Sequence, residues 1–439
     1  MHCEVTEEML SFIDRNPTAY HAVASIKEIL RENGFEELLE SRAWKLVQGH
    51  RYYVCRNSSS IIAFAIGSKL DHYSFNIASS HVDSPFFKIK ELSEIDVNGK
   101  LTKLNTEGYG SMICSTWMDR PLSIAGRVIV RTEEGTLETR LLDFRRGMLL
   151  IPSVAIHMNR AVNDSASYNK QIDMLPLFGG KAEHGTLKRQ IAEELCIREE
   201  QILGSDLYVY NPQKPSVWGC NDEFISSSRL DDQECVYASL RALIASENEH
   251  CINVMAAFDN EEVGSKTKQG ADSTFLYDVL RRMTYSLGRG EEDYLRALSS
   301  SFVISADNAH AFHPNHQEYM DITNCTYMNE GVVVKFSASQ SYSSDAVGAA
   351  VIRALAERAG VPLQFFANRS DNKGGRTLGN LSTSHVAVNT VDIGLPQLAM
   401  HSSYETAGVK DVAYMIGLVT EFYNTYLEEA DSGILRIAG

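Results

Sequence analysis

The sequence lacks the closely spaced cysteine pairs that build zinc fingers and disulfide-stapled folds. Its eight cysteines, at positions 3, 55, 114, 196, 220, 235, 251 and 325, never form a C-x-x-C motif. Scattered thiols of this kind argue against both a thiolate zinc site and a disulfide framework. Long apolar runs are also missing, since a stretch such as 61–67 falls far short of the roughly 20 residues that cross a bilayer. The acidic residues 1–10 have no apolar signal core, so we expect a protein of the reducing cytoplasm without a membrane partner.

Positive charge is scarce as well. Lys and Arg number 41 against 57 Asp and Glu, which gives a formal net charge of −16. Because nucleic-acid affinity depends on clustered cations that meet phosphates, we expect no nucleic-acid partner. The chain contains no P-loop, no G-x-G-x-x-G after a strand and no G-x-S-x-G elbow. Phosphoryl transfer, dinucleotide chemistry and serine-based hydrolysis therefore have no support.

The chain does contain alternating helical and strand-like segments. It has 439 residues, of which 44% are apolar, enough for a large core and about two or three domains. Apolar periodicity predicts helices at 19–30, 346–359 and 412–426, the first followed by Gly34. Short apolar runs suit strands that are buried on both faces, and they lie at 59–66, 73–78, 251–258, 302–304 and 391–400. This pattern predicts an α/β fold, with a three-layer catalytic domain around a largely parallel sheet.

The middle of the chain has a different pattern. Alternating runs such as 122–130 and 136–144 are separated by turn residues and indicate a β-rich insert. We expect a discontinuous catalytic domain of residues 1–92 and 222–439. The inserted β-rich domain then covers residues 93–221.

Histidine and carboxylate clusters follow the predicted strands directly. They occupy residues 80–85, 259–264, 305–310 and 400–402. Ligands bind at the carboxyl ends of strands in open parallel sheets, so these clusters are expected to meet at one edge. Zinc accepts histidine nitrogen and carboxylate oxygen, and two metals can share a bridging carboxylate and activate water.

Two pairs within these clusters suggest specific roles. Residues two apart on a strand point the same way, so Asp83 is placed to accept the ring N–H of His81 and turn its other nitrogen toward a metal. A structural histidine satisfied by a carboxylate is the alternative. Of Glu261 and Glu262, one can ligate a metal while the other takes a proton from water, or the pair can be an acidic helix start.

Several further residues have two or more possible roles. Asp231 either bridges two metals or, with Asp232, caps a helix that carries the next apolar residues. Asp307 is a ligand or a turn residue. His310 and His313 are ligands, substrate contacts or loop histidines, and their spacing does not decide between these roles.

Taken together, the ordered motifs resemble the aspartyl aminopeptidase family of dinuclear zinc metallopeptidases over nearly the whole chain. The matching segments are NSS at 57–59, STWMDR at 115–120, AGRV at 125–128, DEFI at 222–225, RLD at 229–231, DNEEVGS at 259–265, SAD at 305–307, HPN at 313–315 and PQLAMHS at 396–402. The resemblance implies two zinc ions per subunit, with cobalt or manganese as substitutes.

The resemblance also implies a role for each ligand candidate. Asp231 would bridge the two metals, and Glu261 would be the general base. Asp83 would orient His81. The remaining ligands would be His81 and Asp307 for one metal, and Glu262 and His401 for the other.

The family's insert domain builds dimers that assemble into a tetrahedral dodecamer. The resemblance implies that His157 in the insert reaches a neighbouring subunit's active site, whereas a half-buried strand histidine is the alternative. Lys335 would lie near the pocket for an acidic substrate side chain, instead of being a solvated strand-end lysine. His313 would contact substrate.

The chain departs from the family pattern near these loops, at Ser111, Met112, Asp232, Tyr319, Met320, Ser341 and Arg376. The resemblance predicts an aminopeptidase that removes acidic residues from peptides with a free N-terminus, and Arg376 offers a replacement cation. Two other functions remain open. One is a dimetal aminopeptidase for neutral residues, and the other is a non-catalytic oligomeric shell protein.

Overall fold

The computed structural model describes residues 2–181, 184–372 and 374–439, with the side chains of residues 2 and 3 excepted. The helices in these ranges are α1 (His2–Arg15), α2 (Ala19–Glu32), α3 (Thr186–Glu194), α4 (Leu230–Ala245), α5 (Phe275–Ser286), α6 (Glu291–Ser299), α7 (Ala346–Ala359), α8 (Leu378–His385) and α9 (Asp411–Asn424). None of them has the length and apolarity that a membrane span requires.

The strands in the first half of the chain are β1 (Glu36–Leu38), β2 (Arg51–Arg56), β3 (Ser60–Ile66), β4 (Phe75–His81), β5 (Phe86–Val97), β6 (Leu101–Tyr109), β7 (Ser123–Arg131), β8 (Leu137–Asp143), β9 (Leu177–Gly180), β10 (Ile202–Tyr210) and β11 (Ser216–Trp218). Those in the second half are β12 (Phe224–Ser227), β13 (Ile252–Phe258), β14 (Phe302–Ala306), β15 (Ala309–His310), β16 (Val332–Phe336), β17 (Leu363–Ala367), β18 (Asn389–Gly394), β19 (Pro396–Leu398), β20 (Glu405–Gly408), β21 (Tyr426–Asp431) and β22 (Ile434–Ala438).

The larger sheet has nine strands in the order β1-β2-β3-β13-β4-β14-β18-β16-β17. Its central strands β13, β4, β14 and β18 are all parallel neighbours. On either side of this centre the pairings of β3 with β13 and of β16 with β18 are antiparallel. The prediction of a largely parallel sheet is thus confirmed at the centre, while the sheet as a whole is mixed.

Helices cover both faces of this sheet, which explains why its central strands are apolar throughout. Every residue of β13 is buried. Successive residues alternate between the two layers: Met255 packs with the core of α1, α2, α4, α7 and α9, and Val254 packs with the core of α5, α6 and α8. The three-layer α/β architecture is confirmed.

The middle of the chain forms a sheet of its own. Six strands pair antiparallel in the order β8-β7-β10-β5-β6-β9. They bury a separate core that includes Leu104, Trp117 and Val209. The chain enters this sheet directly after β4 and returns to the larger part of the fold before α4, so the insert separates two segments that both contribute to the centre of the molecule.

Two local features differ from expectation. The run 391–400 is not one strand: β18 belongs to the nine-stranded sheet, and the chain then turns so that β19 pairs with β20 in a five-stranded sheet. The acidic N-terminal residues form α1, which was not predicted because charged residues interrupt its apolar face. Met9 and Phe12 nevertheless pack in the core.

Candidate metal centre

Three neighbouring parallel strands bring the predicted ligands to one sheet edge. His81 is the last residue of β4, and Asp307 follows β14 directly. Glu261 and Glu262 lie in the short 3-10 helix Glu261–Val263, just after β13. Because β13, β4 and β14 run the same way, their carboxyl ends meet, as the sequence predicts.

The other two candidates approach the same edge from elsewhere in the fold. Asp231 lies at the start of α4, where its φ of −80° and ψ of 107° are not helical. His401 follows β19. The carboxylate of Asp231 points between two imidazoles, with Oδ1 3.4 Å from Nε2 of His81 and Oδ2 3.2 Å from Nε2 of His401.

The side chains form two three-residue groups that share Asp231. In one group, ligand atoms of His81, Asp231 and Asp307 all lie within 4.8 Å of one another, and in the other those of Asp231, Glu262 and His401 do so. A third group of the same compactness joins Glu261 to His81 and Glu262. The structure therefore brings together all five predicted ligands and the predicted base.

Both histidines are oriented by a hydrogen bond from Nδ1. In His81 this nitrogen donates to the backbone carbonyl of Asp83 at 3.1 Å and lies 3.4 Å from its Oδ1. In His401 it donates to the carbonyl of Ser111 at 2.7 Å. Nε2 of each imidazole therefore faces the shared Asp231, and in the neutral tautomer with the proton on Nδ1 this is the nitrogen that would bind a metal.

The electrostatics show an excess of buried negative charge. Burial is the main cause that raises the pKa of Glu261 to about 8, and it also raises the pKa of Glu262 and Asp307. Burial acts to lower the pKa of His401, yet the hydrogen bond to Asp231 and the charge of Glu262 outweigh it and raise that pKa to about 10. A cation at this position would relieve the crowding of carboxylates.

Unsatisfied oxygen atoms point to the same conclusion. Oδ1 of Asp231 and Oε1 of Glu262 are buried and have no hydrogen-bond partner among the described residues. A buried carboxylate oxygen without a donor is costly, and a divalent cation would satisfy both. Since zinc binds histidine nitrogen together with carboxylate oxygen, the residues present fit zinc.

A cleft of about 250 Å³ opens over this centre. Besides the site residues, it is lined by Asn308, Ala309, His310, Lys335, Tyr342, Phe366, Gly375, Arg376, Thr377 and Met400. The sequence left the role of His310 open, and the structure places it in the cleft. Tyr342 and Phe366 were not predicted, because aromatic residues in a sequence indicate burial as readily as a binding wall.

Two cations line the cleft in different ways. Lys335 is buried, so the alternative of a solvated lysine is wrong, and its Nζ donates to the carbonyls of Asp307 and Asn308 at 2.7 and 3.2 Å. Arg376 is exposed, and no acidic group of the described residues lies within ion-pair distance of it. Among the described residues Arg376 has no hydrogen-bond or ion-pair partner, so its donors are free for a ligand.

The structure does not bring two predicted substrate residues to the cleft of this chain. His313 is half-buried in a loop, where its Nδ1 accepts a hydrogen bond from the backbone N–H of Asn315 at 3.2 Å. His157 lies on an exposed turn of the insert, so the alternative of a half-buried strand histidine is wrong.

The chain is similar to known proteins in both sequence and fold. The family model described as Aminopeptidase I zinc metalloprotease (M18) matches residues 12–423. A probable M18 family aminopeptidase 2 of Clostridium novyi is 46% identical over 423 residues, covering 95% of this chain and 98% of the relative. Its namesake in Clostridium acetobutylicum is 47% identical over 427 residues, covering 96% and 99%.

The chain is also similar in fold to solved structures. A chain of the Ape4 and Nbr1 complex superposes with a TM-score of 0.94 at 35% identity, covering 96% of this chain and 86% of the other. The S. cerevesiae mApe1 dodecamer gives a TM-score of 0.83 at 26% identity, and 96% of each chain is covered.

Proposed function

The chain belongs to the M18 family of zinc metalloprotease aminopeptidases, and from this premise we propose that it removes acidic N-terminal residues from peptides. The observation that carries the acidic preference is the exposed cation Arg376 in the cleft over the candidate metal centre, where the buried Lys335 adds a second positive charge. A substrate carboxylate that leaves water needs such a partner, because an unpaired buried charge is costly.

Asp231 would bridge two zinc ions in this proposal. His81 and Asp307 would complete one ion's ligands, and Glu262 and His401 the other's. The bound ions would polarise the scissile carbonyl and acidify water. The carboxylates around the cleft would hold the free amino group of the peptide.

Glu261 is proposed to move the proton. It lines the cleft, and burial raises the pKa of this carboxyl above its usual value, which makes its carboxylate a stronger base. Its carboxylate would take a proton from the attacking water and then pass that proton to the amine that leaves. Asp83 would hold His81 in the tautomer described above.

We also propose that the chain assembles into dimers and then a tetrahedral dodecamer through the insert, residues 93–221. The fold similarity to the S. cerevesiae mApe1 dodecamer supports this. His157 stands among exposed apolar side chains of the same turn, Val154, Ile156 and Met158. A second copy of the chain would cover this surface, and His157 would then lie near the cleft of that second copy.

Two finer points complete the proposal. The seven cysteines whose side chains are described are free thiols, which fits the reducing cytoplasm. His313 is retained as a predicted substrate contact, since the loop that carries it leads out of the cleft after His310.

The test is a panel of otherwise identical peptides that begin with Asp, Glu or Leu, assayed with and without a chelator. We expect faster hydrolysis of the two acidic peptides, loss of all activity with the chelator and recovery with added zinc. Equal or faster cleavage of the Leu peptide would favour the neutral aminopeptidase instead. A protein that holds less than one zinc per chain and stays inactive after zinc or cobalt addition would be the non-catalytic shell.

A further inference from the structure

The end of β6 and the segment that follows it in the insert contact the candidate metal centre at three points. The hydroxyl of Tyr109 lies 2.6 Å from Oδ2 of Asp83. The carbonyl of Ser111 accepts from His401, whose own carbonyl accepts from the N–H of Ile113 at 3.0 Å. Gly110, at a φ of +78°, lies so close to Glu262 that an added Cβ would be 3.2 Å from the Cβ of that residue. The insert thus closes one side of the centre.

The direction of the Tyr109 hydrogen bond follows from its neighbours. Nδ2 of Asn260 donates to the Tyr109 hydroxyl at 2.8 Å. The orientation of the Asn260 amide is supported by a second acceptor, because the same Nδ2 donates to the carboxylate of Asp259 at 3.2 Å while Oδ1 accepts from Thr267 and from Gln269, each at 2.8 Å. The single proton of the hydroxyl must therefore go to Asp83. Burial and the nearby carboxylate of Asp83 raise the pKa of Tyr109, so the phenol remains a donor.

Besides the bond from Tyr109, the carboxylate of Asp83 accepts hydrogen bonds from two further groups of the centre. Its Oδ1 accepts from the backbone N–H of Glu261 at 3.1 Å, and its Oδ2 accepts from that of Glu262 at 3.2 Å. The same residue fixes His81. If Tyr109 lost its hydroxyl, Oδ2 would lose its shortest hydrogen bond, and the carboxylate would be held only by the two backbone N–H groups and by its 3.4 Å contact with the imidazole.

We infer that Tyr109 is a positioning residue of the metal centre, which it holds in place from the insert through Asp83. This inference rests on the proposed ligand roles of His81 and Glu262. It gives the insert a task within the active site in addition to the proposed assembly. A carboxylate that orients a histidine ligand typically changes metal affinity or activity about ten- to a hundredfold when it is disturbed.

The ring of Tyr109 also packs in the core, and the test must separate that role. Its ring meets the ring of Tyr208 edge-on at 5.8 Å between centroids. Tyr109→Phe retains this ring and removes only the hydroxyl. Tyr208→Phe is the matched control, since it removes a hydroxyl from the same aromatic pair without touching Asp83.

The experiment measures zinc affinity of the full chain by competition with a chromophoric chelator, together with kcat and KM on an Asp peptide. We expect Tyr109→Phe to bind zinc about ten- to a hundredfold more weakly and to lower kcat more than it changes KM, while Tyr208→Phe stays within about twofold. A zinc affinity of Tyr109→Phe within about twofold of the parent would overturn the inference.

A double-mutant cycle with Asp83→Asn provides the second measurement. If Tyr109 acts through Asp83, adding Tyr109→Phe to Asp83→Asn weakens zinc binding no further, whereas fully additive losses would show a separate structural role and refute the inference. A parent protein that binds zinc and cleaves no peptide would refute the proposed function alone, because the affinities would still test Tyr109.

Discussion

Nζ of Lys335 donates to the backbone carbonyl of Asp307 at 2.7 Å and lies 3.8 Å from the carboxylate of the same residue. This buried ammonium therefore orients a candidate metal ligand as well as lining the cleft. Arg376 lines the same cleft without such a bond. The two cations should then differ in what they contribute, with Lys335 serving every substrate and Arg376 serving acidic ones.

Substituting each cation separately should reveal this difference. Arg376→Gln should lower kcat/KM about three- to tenfold for an Asp peptide and leave a Leu peptide unchanged, because it removes only a partly solvated charge. Lys335→Met should lower both about ten- to a hundredfold, because the carbonyl of Asp307 loses its donor and its carboxylate loses the nearby positive charge. The ratio of kcat/KM values for the two peptides is the measurement. An unchanged ratio in Arg376→Gln would show that this arginine does not bind the substrate side chain.

Glu261 and Glu262 are adjacent, yet their replacement should have different consequences. Glu261→Gln should lower kcat at least about a hundredfold while bound zinc stays near the parent value, because only the proton acceptor is lost. Glu262→Gln is the matched control and should lose zinc as well as activity. Zinc content by elemental analysis, paired with kcat, separates the two. Retained turnover in Glu261→Gln would rule out Glu261 as the base.

Much of the site follows from the sequence, because strand-end residues of adjacent parallel strands must meet at one edge. His81, Glu262 and Asp307 come together on that principle alone. The role of Asp231 was not accessible in this way, since a helix cap and a bridging ligand have the same sequence pattern. The resemblance to a known family, and not periodicity, supplied that candidate ligand.

Other features of the site cannot be predicted from any sequence pattern. The carbonyl of Ser111 orients His401, but every residue has a carbonyl, so no side-chain pattern marks this contact. The peptide bonds Asp231–Asp232 and Met400–His401 are both cis, and neither precedes proline, the one residue that signals such a bond. Tyr109 reaches Asp83 because β6 pairs with β5 so that Tyr109 lies opposite Phe86, three residues after Asp83, and nothing in the sequence marks this register.

Removing the metal should make stability depend steeply on pH. Glu405 belongs to the same cluster, since its Oε2 accepts from the backbone N–H of Asp231 at 3.1 Å. Without a cation, burial is the main cause that raises the pKa of Glu261 and Glu405 to about 8, while for His401 the carboxylate neighbours outweigh burial and raise the pKa to about 10. All three groups then bind more protons in the folded than in the unfolded chain between their unfolded and folded pKa values. The stability that they contribute is present at low pH and is lost as pH rises through the folded values.

We therefore expect the Tm of the metal-free protein to fall between pH 6 and pH 9, and the Tm of the zinc-loaded protein to fall less. Differential scanning calorimetry of both forms at the two pH values measures this. The control is zinc-loaded protein treated with chelator already saturated with zinc. A metal-free Tm that is flat or rises over this interval would contradict the charge crowding described here.

The exposed position of His157 leads to a prediction about mixed oligomers. If each active site combines Glu261 of one chain with His157 of a neighbour, the variants Glu261→Gln and His157→Ala should each be inactive or strongly impaired alone. After the two are unfolded together and reassembled at equal amounts, random association should restore both native residues in about a quarter of the sites. Activity near a quarter of the parent value, measured on an Asp peptide, is the expected result.

If His157 instead acted within its own chain, or only in folding, no mixed site would contain both native residues, and activity would stay at the average of the two variants. Reassembled parent protein corrects for losses during refolding, and a mixture of Glu261→Gln with Glu262→Gln, whose defects lie in the same chain's site, should show no recovery.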